Sequence, residues 1–71
     1  MRWHYQSVDK KNSGVGVLDK ALRILAALEA GPQSLSELVA TTAIARPTAH
    51  RLAVALEYHR LVSRDFSGRF I

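Results

Sequence analysis

Apolar residues recur every three or four positions along three stretches of this 71-residue chain, which is the spacing of amphipathic α-helices. The first stretch begins at Gly16 or Val17 and is predicted to continue to Ala30. Its apolar face comprises Leu18, Ala21, Leu22, Leu25 and Leu28, and Ile24 widens it. Gly31 can end the helix in a left-handed conformation, and Pro32 prevents the helix from resuming.

The second helix is predicted to begin after Ser34 with a capping box. In this motif the Ser34 hydroxyl accepts a hydrogen bond from the Glu37 backbone N–H, and the Glu37 carboxylate accepts one from the Ser34 N–H. The inward-facing residues are Leu35, Leu38 and Val39. A turn follows at residues 42–45, and its backbone is expected to be left-handed at Ala43, which costs an alanine about 1 kcal/mol.

The third helix, residues 46–58, has an aliphatic face and a polar face. The aliphatic face comprises Ala49, Leu52, Ala53 and Leu56, and the opposite face comprises Pro47, His50, Arg51 and Val54. Proline is tolerated in a first helical turn, because its missing N–H has no use there. Arginine and histidine donate hydrogen bonds to base edges or phosphates, and a helix amino end attracts anions. The pattern therefore fits a nucleic-acid groove, although a surface helix with merely solvated arginines has the same pattern.

Residues 61–65 and 66–71 are predicted to be two short strands, with the turn at Ser67 and Gly68. Leu61 and Phe66 are expected to pack on the core. Side chains alternate across a strand, so one of Leu61 and Val62 must face solvent. Helix, turn, helix and hairpin in this order predict a mainly α fold with a small β-hairpin, the winged helix-turn-helix, whose second paired helix enters the major groove. A wing of this kind can place Arg69 at the minor groove.

Composition narrows the class of protein. An apolar content of 48% is too high for a wholly disordered chain, and the absence of cysteine excludes disulfides and thiolate metal sites. No stretch has the length of a transmembrane helix, and the amino terminus lacks the apolar stretch of a secretion signal. A soluble cytoplasmic protein is expected, with no cofactor and no metal.

The net charge of +4 is unevenly distributed. Residues 15–44 carry a net negative charge, whereas residues 1–14 and 45–71 are both net positive. The basic part that follows residue 44 contains Arg46, Arg51, Arg60, Arg64 and Arg69 against Glu57 and Asp65. The segments that carry this excess are those expected to face a polyanion.

Residues 1–14 are predicted to be a flexible tail, and residues 15–71 the folded domain. The tail ends in the breaker cluster Asn12-Ser13-Gly14. There are two alternatives. The segment could dock on a neighbouring surface through Trp3 and Tyr5, or it could be partly an expression remnant. The chain stops at Ile71 just as its last strand forms, so a fragment of a longer protein is expected.

Five blocks of sequence add a resemblance to these patterns. They are GVLDKALRIL (16–25), LSELV (35–39), TAIARPTAHRL (42–52), LEYHRLV (56–62) and GRF (68–70). In order and spacing they resemble the N-terminal domain of IclR-type transcriptional regulators over about residues 15–71. Two positions depart from the family pattern: Ala43 stands where glycine is usual, and Pro47 where serine is usual.

The resemblance implies sequence-specific binding to a double-stranded DNA operator. The candidate DNA-binding residues are Ser36, Arg46, Pro47, Thr48, His50, Arg51 and Arg69. It also implies a homodimer or a dimer of dimers in the full-length protein, paired in part by the first helix. A small-molecule effector would act only through a C-terminal domain that this chain does not contain.

Two other functions compete with DNA binding. A winged helix can instead serve as a protein–protein interaction module without DNA readout, but an exposed apolar or acidic face would then be expected. An enzyme is disfavoured, because no base or carboxylate is spaced to activate a nucleophile and so short a chain leaves little room for a pocket. His50 could be a metal ligand, a general base, a DNA donor or an exposed histidine without a role. No second histidine or carboxylate lies three or four residues after it, which disfavours the metal ligand.

Overall fold

A computed structural model describes residues 15–71, in which three α-helices are present. They are α1 (Gly16–Leu28), α2 (Leu35–Thr42) and α3 (Arg46–Tyr58), and each helix contacts both of the others. The predicted mainly α helix-turn-helix architecture is confirmed. The predicted tail, residues 1–14, lies outside the described residues.

Helix α1 ends at Leu28, two residues before the predicted end at Ala30. The next three N–H groups, of Glu29, Ala30 and Gly31, donate to carbonyls three residues back at 3.1–3.3 Å. These are bonds of the 3₁₀ type, which tighten the last turn of a helix. Gly31 has a positive φ of +139°, but α1 ends before it with Glu29 as a right-handed C-cap, so Gly31 is not the residue that ends the helix.

Helix α2 begins with the predicted capping box. The Glu37 N–H donates to Ser34 Oγ at 3.1 Å, and the Ser34 N–H donates to Glu37 Oε1 at 2.8 Å. Thr42 is the last residue of α2, and its hydroxyl donates to the Leu38 carbonyl at 2.6 Å. Ala43 then adopts φ +61° and ψ +22°, so the predicted left-handed conformation is confirmed.

Helix α3 has the predicted bounds, and Pro47 lies in its first turn. At its carboxyl end Arg60 has a φ of +66°. The Arg60 N–H donates to the Glu57 carbonyl at 3.0 Å, and the Leu61 N–H to the Leu56 carbonyl at 2.9 Å. This pair of bonds is a Schellman motif, in which an arginine occupies the left-handed position where glycine is usual.

The core lies between the three helices and the segment that follows α3. Its buried apolar residues are Ile24, Leu38, Ile44, Ala49, Ala53, Leu56, Val62 and Phe70. The predicted core role of Leu61 and Phe66 is wrong: Leu61 is 63% exposed and Phe66 wholly exposed. Val62 is buried in place of Leu61, because the chain after the Arg60 turn presents the other parity of its alternating side chains to the helices. Phe70 is buried in place of Phe66, which lies in the wing turn. Leu18 is also half exposed, near the open amino end of α1.

The wing, residues 61–71, is held together and joined to the loop before α2 by single β-bridges. Between residues 15 and 71 no continuous β-strand forms, so the predicted two-stranded hairpin is present only as antiparallel bridges of Phe70 with Arg64 on one side and Gln33 on the other. Ser63 and Ile71 exchange two backbone hydrogen bonds of 3.0 Å, and Phe70 and Gln33 exchange two of 2.7 and 2.9 Å. Gln33 therefore fixes the wing to the loop between α1 and α2.

Candidate nucleic-acid interface

The side of α3 opposite the core presents a continuous strip of exposed residues. Five of them fall within an arc of about 100° at 3.6 residues per turn, and they are Pro47, His50, Arg51, Val54 and Tyr58. We call this strip the exposed face of α3. The helix is held with this strip outward because Ala49 and Ala53 on its other side are completely buried.

The amino ends of α2 and α3 meet beside this face. Arg46 Nη1 donates a hydrogen bond of 3.1 Å to Ser36 Oγ, and both residues are exposed. The structure thus brings together two of the candidate residues, each in the first turn of its helix. Thr48, a third candidate, is half-buried in the same turn as Arg46.

The amino end of α3 differs from that of α2 in its capping. Ala45 precedes α3 and provides no side-chain hydrogen bond, whereas Ser34 and Glu37 cap α2. The first N–H groups of a helix carry a partial positive charge and attract anions where no side chain satisfies them. The uncapped end of α3 is therefore the more suitable of the two for a phosphate.

Arg51 is the arginine of the exposed face of α3. Within residues 15–71 its guanidinium has no hydrogen bond or ion pair, and the residue is exposed. His50 is its exposed neighbour. A free guanidinium in this position can bind a phosphate or form two hydrogen bonds with a guanine edge.

In the wing, Arg69 is held by a carboxylate. Asp65 Oδ2 accepts from Arg69 Nε at 2.9 Å, and Asp65 Oδ1 accepts from the backbone N–H groups of Ser67 and Arg69 and from the Ser67 hydroxyl at 2.9–3.0 Å. Partial desolvation raises the pKa of Asp65, but these donors together outweigh it and hold the pKa below 3.8. The Arg69 side chain is still 48% exposed, so it remains accessible beside the turn.

Arg64, by contrast, is part of the wing's internal structure. Its guanidinium lies 4.1 Å from the centre of the Phe70 ring and 3.3 Å from Glu57 Oε1. These contacts attach the first half of the wing to the carboxyl end of α3. Within the described residues Arg69 pairs with Asp65 and has no hydrogen bond or ion pair with α3.

Sequence reasoning did not select two exposed aromatic residues. Tyr58, 81% exposed, lies three turns after Pro47 on the exposed face of α3, a position that helical spacing alone predicts. Phe66 is wholly exposed at the wing turn, whereas its apolar side chain alone predicts a place in the core.

Other kinds of site find little support in the described part of the chain. No group of three or more His, Asp or Glu residues between 15 and 71 lies close enough to hold a metal ion. In the same range no helix is both long and apolar enough to cross a membrane.

Comparison with known proteins adds one finding. The family model of the IclR helix-turn-helix domain matches residues 17–65. This range includes the first part of the wing and all three helices, apart from Gly16 at the start of α1. This domain is a DNA-binding regulatory domain and not a catalytic one. Searches of curated proteins and of solved structures gave no match.

Proposed function

The chain belongs to the IclR helix-turn-helix family, and we propose that it binds a specific sequence of double-stranded DNA by placing α3 in the major groove. The observation that carries this proposal is the exposed face of α3, where Arg51 has no partner among residues 15–71 while the opposite side of the helix is buried. The major groove admits an α-helix, and its base edges form hydrogen bonds with arginine and histidine side chains.

Around this helix we assign the contacts to two classes. Phosphates would be held by the uncapped amino end of α3 and by Arg46, Ser36 and Thr48, and these contacts would fix the position of the helix. Arg51 and His50 would reach base edges, and Pro47 would stiffen the entering turn. Phosphate contacts supply affinity and orientation, whereas base contacts supply sequence preference.

We assign Arg69 to the flank of the site. The wing turn is compact and Arg69 is half exposed beside it, so its guanidinium can approach a minor groove. Narrow, A·T-rich minor grooves have an enhanced negative potential that attracts arginine.

The wider biology is also a proposal. The full-length regulator would act as a homodimer or dimer of dimers in the cytoplasm, where it meets its operator. A separate C-terminal domain would bind a small-molecule effector and change how the paired α3 helices meet the DNA.

A protein–protein interaction module is the alternative function. The exposed apolar residues Val17, Leu18 and Leu61 favour it, because such side chains can join a partner surface. The exposed face of α3 favours DNA instead, since it carries an arginine and a histidine and no acidic residue.

The test is a salt titration of the 71-residue chain on a duplex selected from a random pool. The logarithm of the binding constant should fall linearly with the logarithm of salt concentration. Arg51→Ala should cost about 1–3 kcal/mol and relax preference at one base pair if Arg51 reads a base, or lower the salt slope by about one if it binds a phosphate. Arg23→Ala, which removes an exposed arginine from α1, is the matched control and should have a smaller effect. Binding that is absent, or insensitive to salt, would favour the interaction module.

A further inference from the structure

Phe66 is the most exposed large apolar side chain in the described part of the chain, at 112% of its reference accessible area. It lies at the turn of the wing, between Asp65 and Ser67. An isolated exposed apolar residue is common on protein surfaces and carries no conclusion by itself. The construction of the turn around Phe66 provides the further observation.

The backbone on both sides of Phe66 is held in one conformation. The Asp65 carboxylate accepts four hydrogen bonds, from Ser67 and Arg69, and the Asp65 carbonyl accepts a fifth from the Gly68 N–H at 3.0 Å. Gly68 has a φ of +86°, which a residue with a side chain rarely adopts. The turn therefore presents the Phe66 ring to solvent from an ordered base, which lowers the entropy cost of burying that ring against a partner.

The charges near Phe66 indicate the chemistry of the partner. Arg64 precedes it by two residues and Arg69 follows it by three. Each guanidinium is paired with one carboxylate, Arg64 with Glu57 and Arg69 with Asp65, and the two side chains remain 39% and 48% exposed. Residues 60–69 carry three arginines against Asp65, and an exposed apolar ring on a net positive segment is complementary to a surface with apolar walls and flanking anions. The minor groove of a DNA duplex has this chemistry, because deoxyribose forms its walls and phosphates form its rims.

We propose that Phe66 enters the minor groove at the flank of the DNA site and packs against the sugar walls beside a base step. The inference rests on the proposed DNA-binding function, and it adds an apolar contact to the polar contacts of α3 and Arg69. Proteins that bind the minor groove commonly insert a phenylalanine or an aliphatic side chain at a base step. Pyrimidine–purine steps open most easily, so Phe66 favours such a step at the flank.

The contact has a signature that separates it from the arginines. A neutral ring displaces no counterion, so Phe66 contributes affinity without changing the salt slope, whereas Arg69 contributes to that slope. Phe66 and Arg69 therefore differ in how their contributions to the binding constant depend on salt.

The experiment measures binding of the 71-residue chain to duplexes whose flank carries either a TA step or a stiff A-tract, at several salt concentrations. Phe66→Ala should bind the TA-flanked duplex about tenfold more weakly, equivalent to about 1.4 kcal/mol, with an unchanged salt slope. Phe66→Leu should keep most of the affinity, because leucine also fills an apolar space. Leu61→Ala removes another exposed apolar side chain, 63% exposed at the start of the wing and away from its turn, and should bind like the wild type.

Sedimentation of the same variants without DNA identifies the competing occupant, a second copy of the chain. If Phe66→Ala abolishes self-association and leaves DNA affinity unchanged, the proposal is wrong and the ring is a protein contact. Equal losses for Phe66→Ala and Leu61→Ala would also overturn it. Absence of salt-dependent DNA binding by the wild-type chain is a different result, since it rejects the proposed function itself.

Discussion

At the scale of single residues, Asp65 determines both the shape and the charge of the wing. The donors around its carboxylate hold the pKa below the ordinary 3.8, so the folded state binds this proton more weakly than the unfolded state does. Stability from this group is therefore present above about pH 3.8 and is lost as the pH falls through the lower pKa of the folded state. We expect Asp65→Asn to lower the melting temperature at about pH 7 and to have a smaller effect at about pH 2. Thermal unfolding of both proteins at the two pH values measures this, and an equal difference at both would contradict it.

Arg69 is the second residue whose role is open to a direct test. Because the exposed part of its guanidinium can approach a narrow groove, Arg69→Ala should weaken binding mainly to sites with A·T-rich flanks. The loss should be accompanied by a salt slope smaller by about one. Titration of matched duplexes with A·T-rich and G·C-rich flanks separates the outcomes. Equal losses would reduce Arg69 to an ordinary phosphate contact, and no loss would place the wing away from the DNA.

At the scale of elements, the turn between α2 and α3 contains a strained alanine. Ala43 has a φ of +61°, and glycine adopts this conformation without the steric cost of a Cβ atom. Ala43→Gly should stabilise the domain by a few tenths of a kcal/mol to about 1 kcal/mol, after the larger entropy of the unfolded glycine is subtracted. A gain of 1 kcal/mol would raise the melting temperature by about 4–8 °C.

The control for this prediction lies three residues earlier in α2. Ala40 is exposed and helical, so Ala40→Gly should destabilise the domain by about 1 kcal/mol through helix propensity alone. Opposite signs for the two alanine-to-glycine changes would confirm the left-handed turn in solution. If both variants melted at lower temperatures than the wild type, Ala43 would be helical in solution.

The elements also show where sequence reasoning succeeds and where it fails. The capping box at Ser34, the left-handed residue at Ala43 and the start of α3 next to Pro47 each depend on local chemistry, and each was predicted from the sequence. The wing depends on a tertiary contact: Phe70 pairs with Gln33, far away along the chain. A two-residue period fits either parity, so the alternation alone could not decide whether Leu61 or Val62 was buried.

The candidate site divides in the same way. The exposed face of α3 follows from helical spacing, and Tyr58 could have been added to it by that same spacing. The bond between Ser36 and Arg46 could not be predicted, because it joins two helices whose angle is set by the packing of Leu38 and Ala49 in the core.

At the scale of the whole molecule, each copy of the described domain contains one α3. One copy is therefore expected to bind one half of a two-fold operator, which we call a half-site. Joining two copies makes the second binding event intramolecular, at an effective concentration of about 1 mM for a short flexible linker. If one copy binds its half-site with a Kd of about 10 μM, the linkage gains about a hundredfold. The 71-residue chain as a monomer should then bind one operator in the micromolar range and discriminate weakly against random duplex.

Fusion to an unrelated dimerisation domain tests this argument without changing any residue of the DNA-binding surface. The fused protein should gain about a hundredfold in affinity on duplexes whose half-site centres are about 34 Å apart, because both α3 helices then face the same side of the DNA. Moving the half-sites apart by about half a helical turn should remove the gain, since a short linker cannot span to the opposite side. That shifted duplex is the control for affinity arising from the fusion partner alone. A gain independent of spacing, or nanomolar binding by a chain that sediments as a monomer, would show that one copy already makes the full set of contacts.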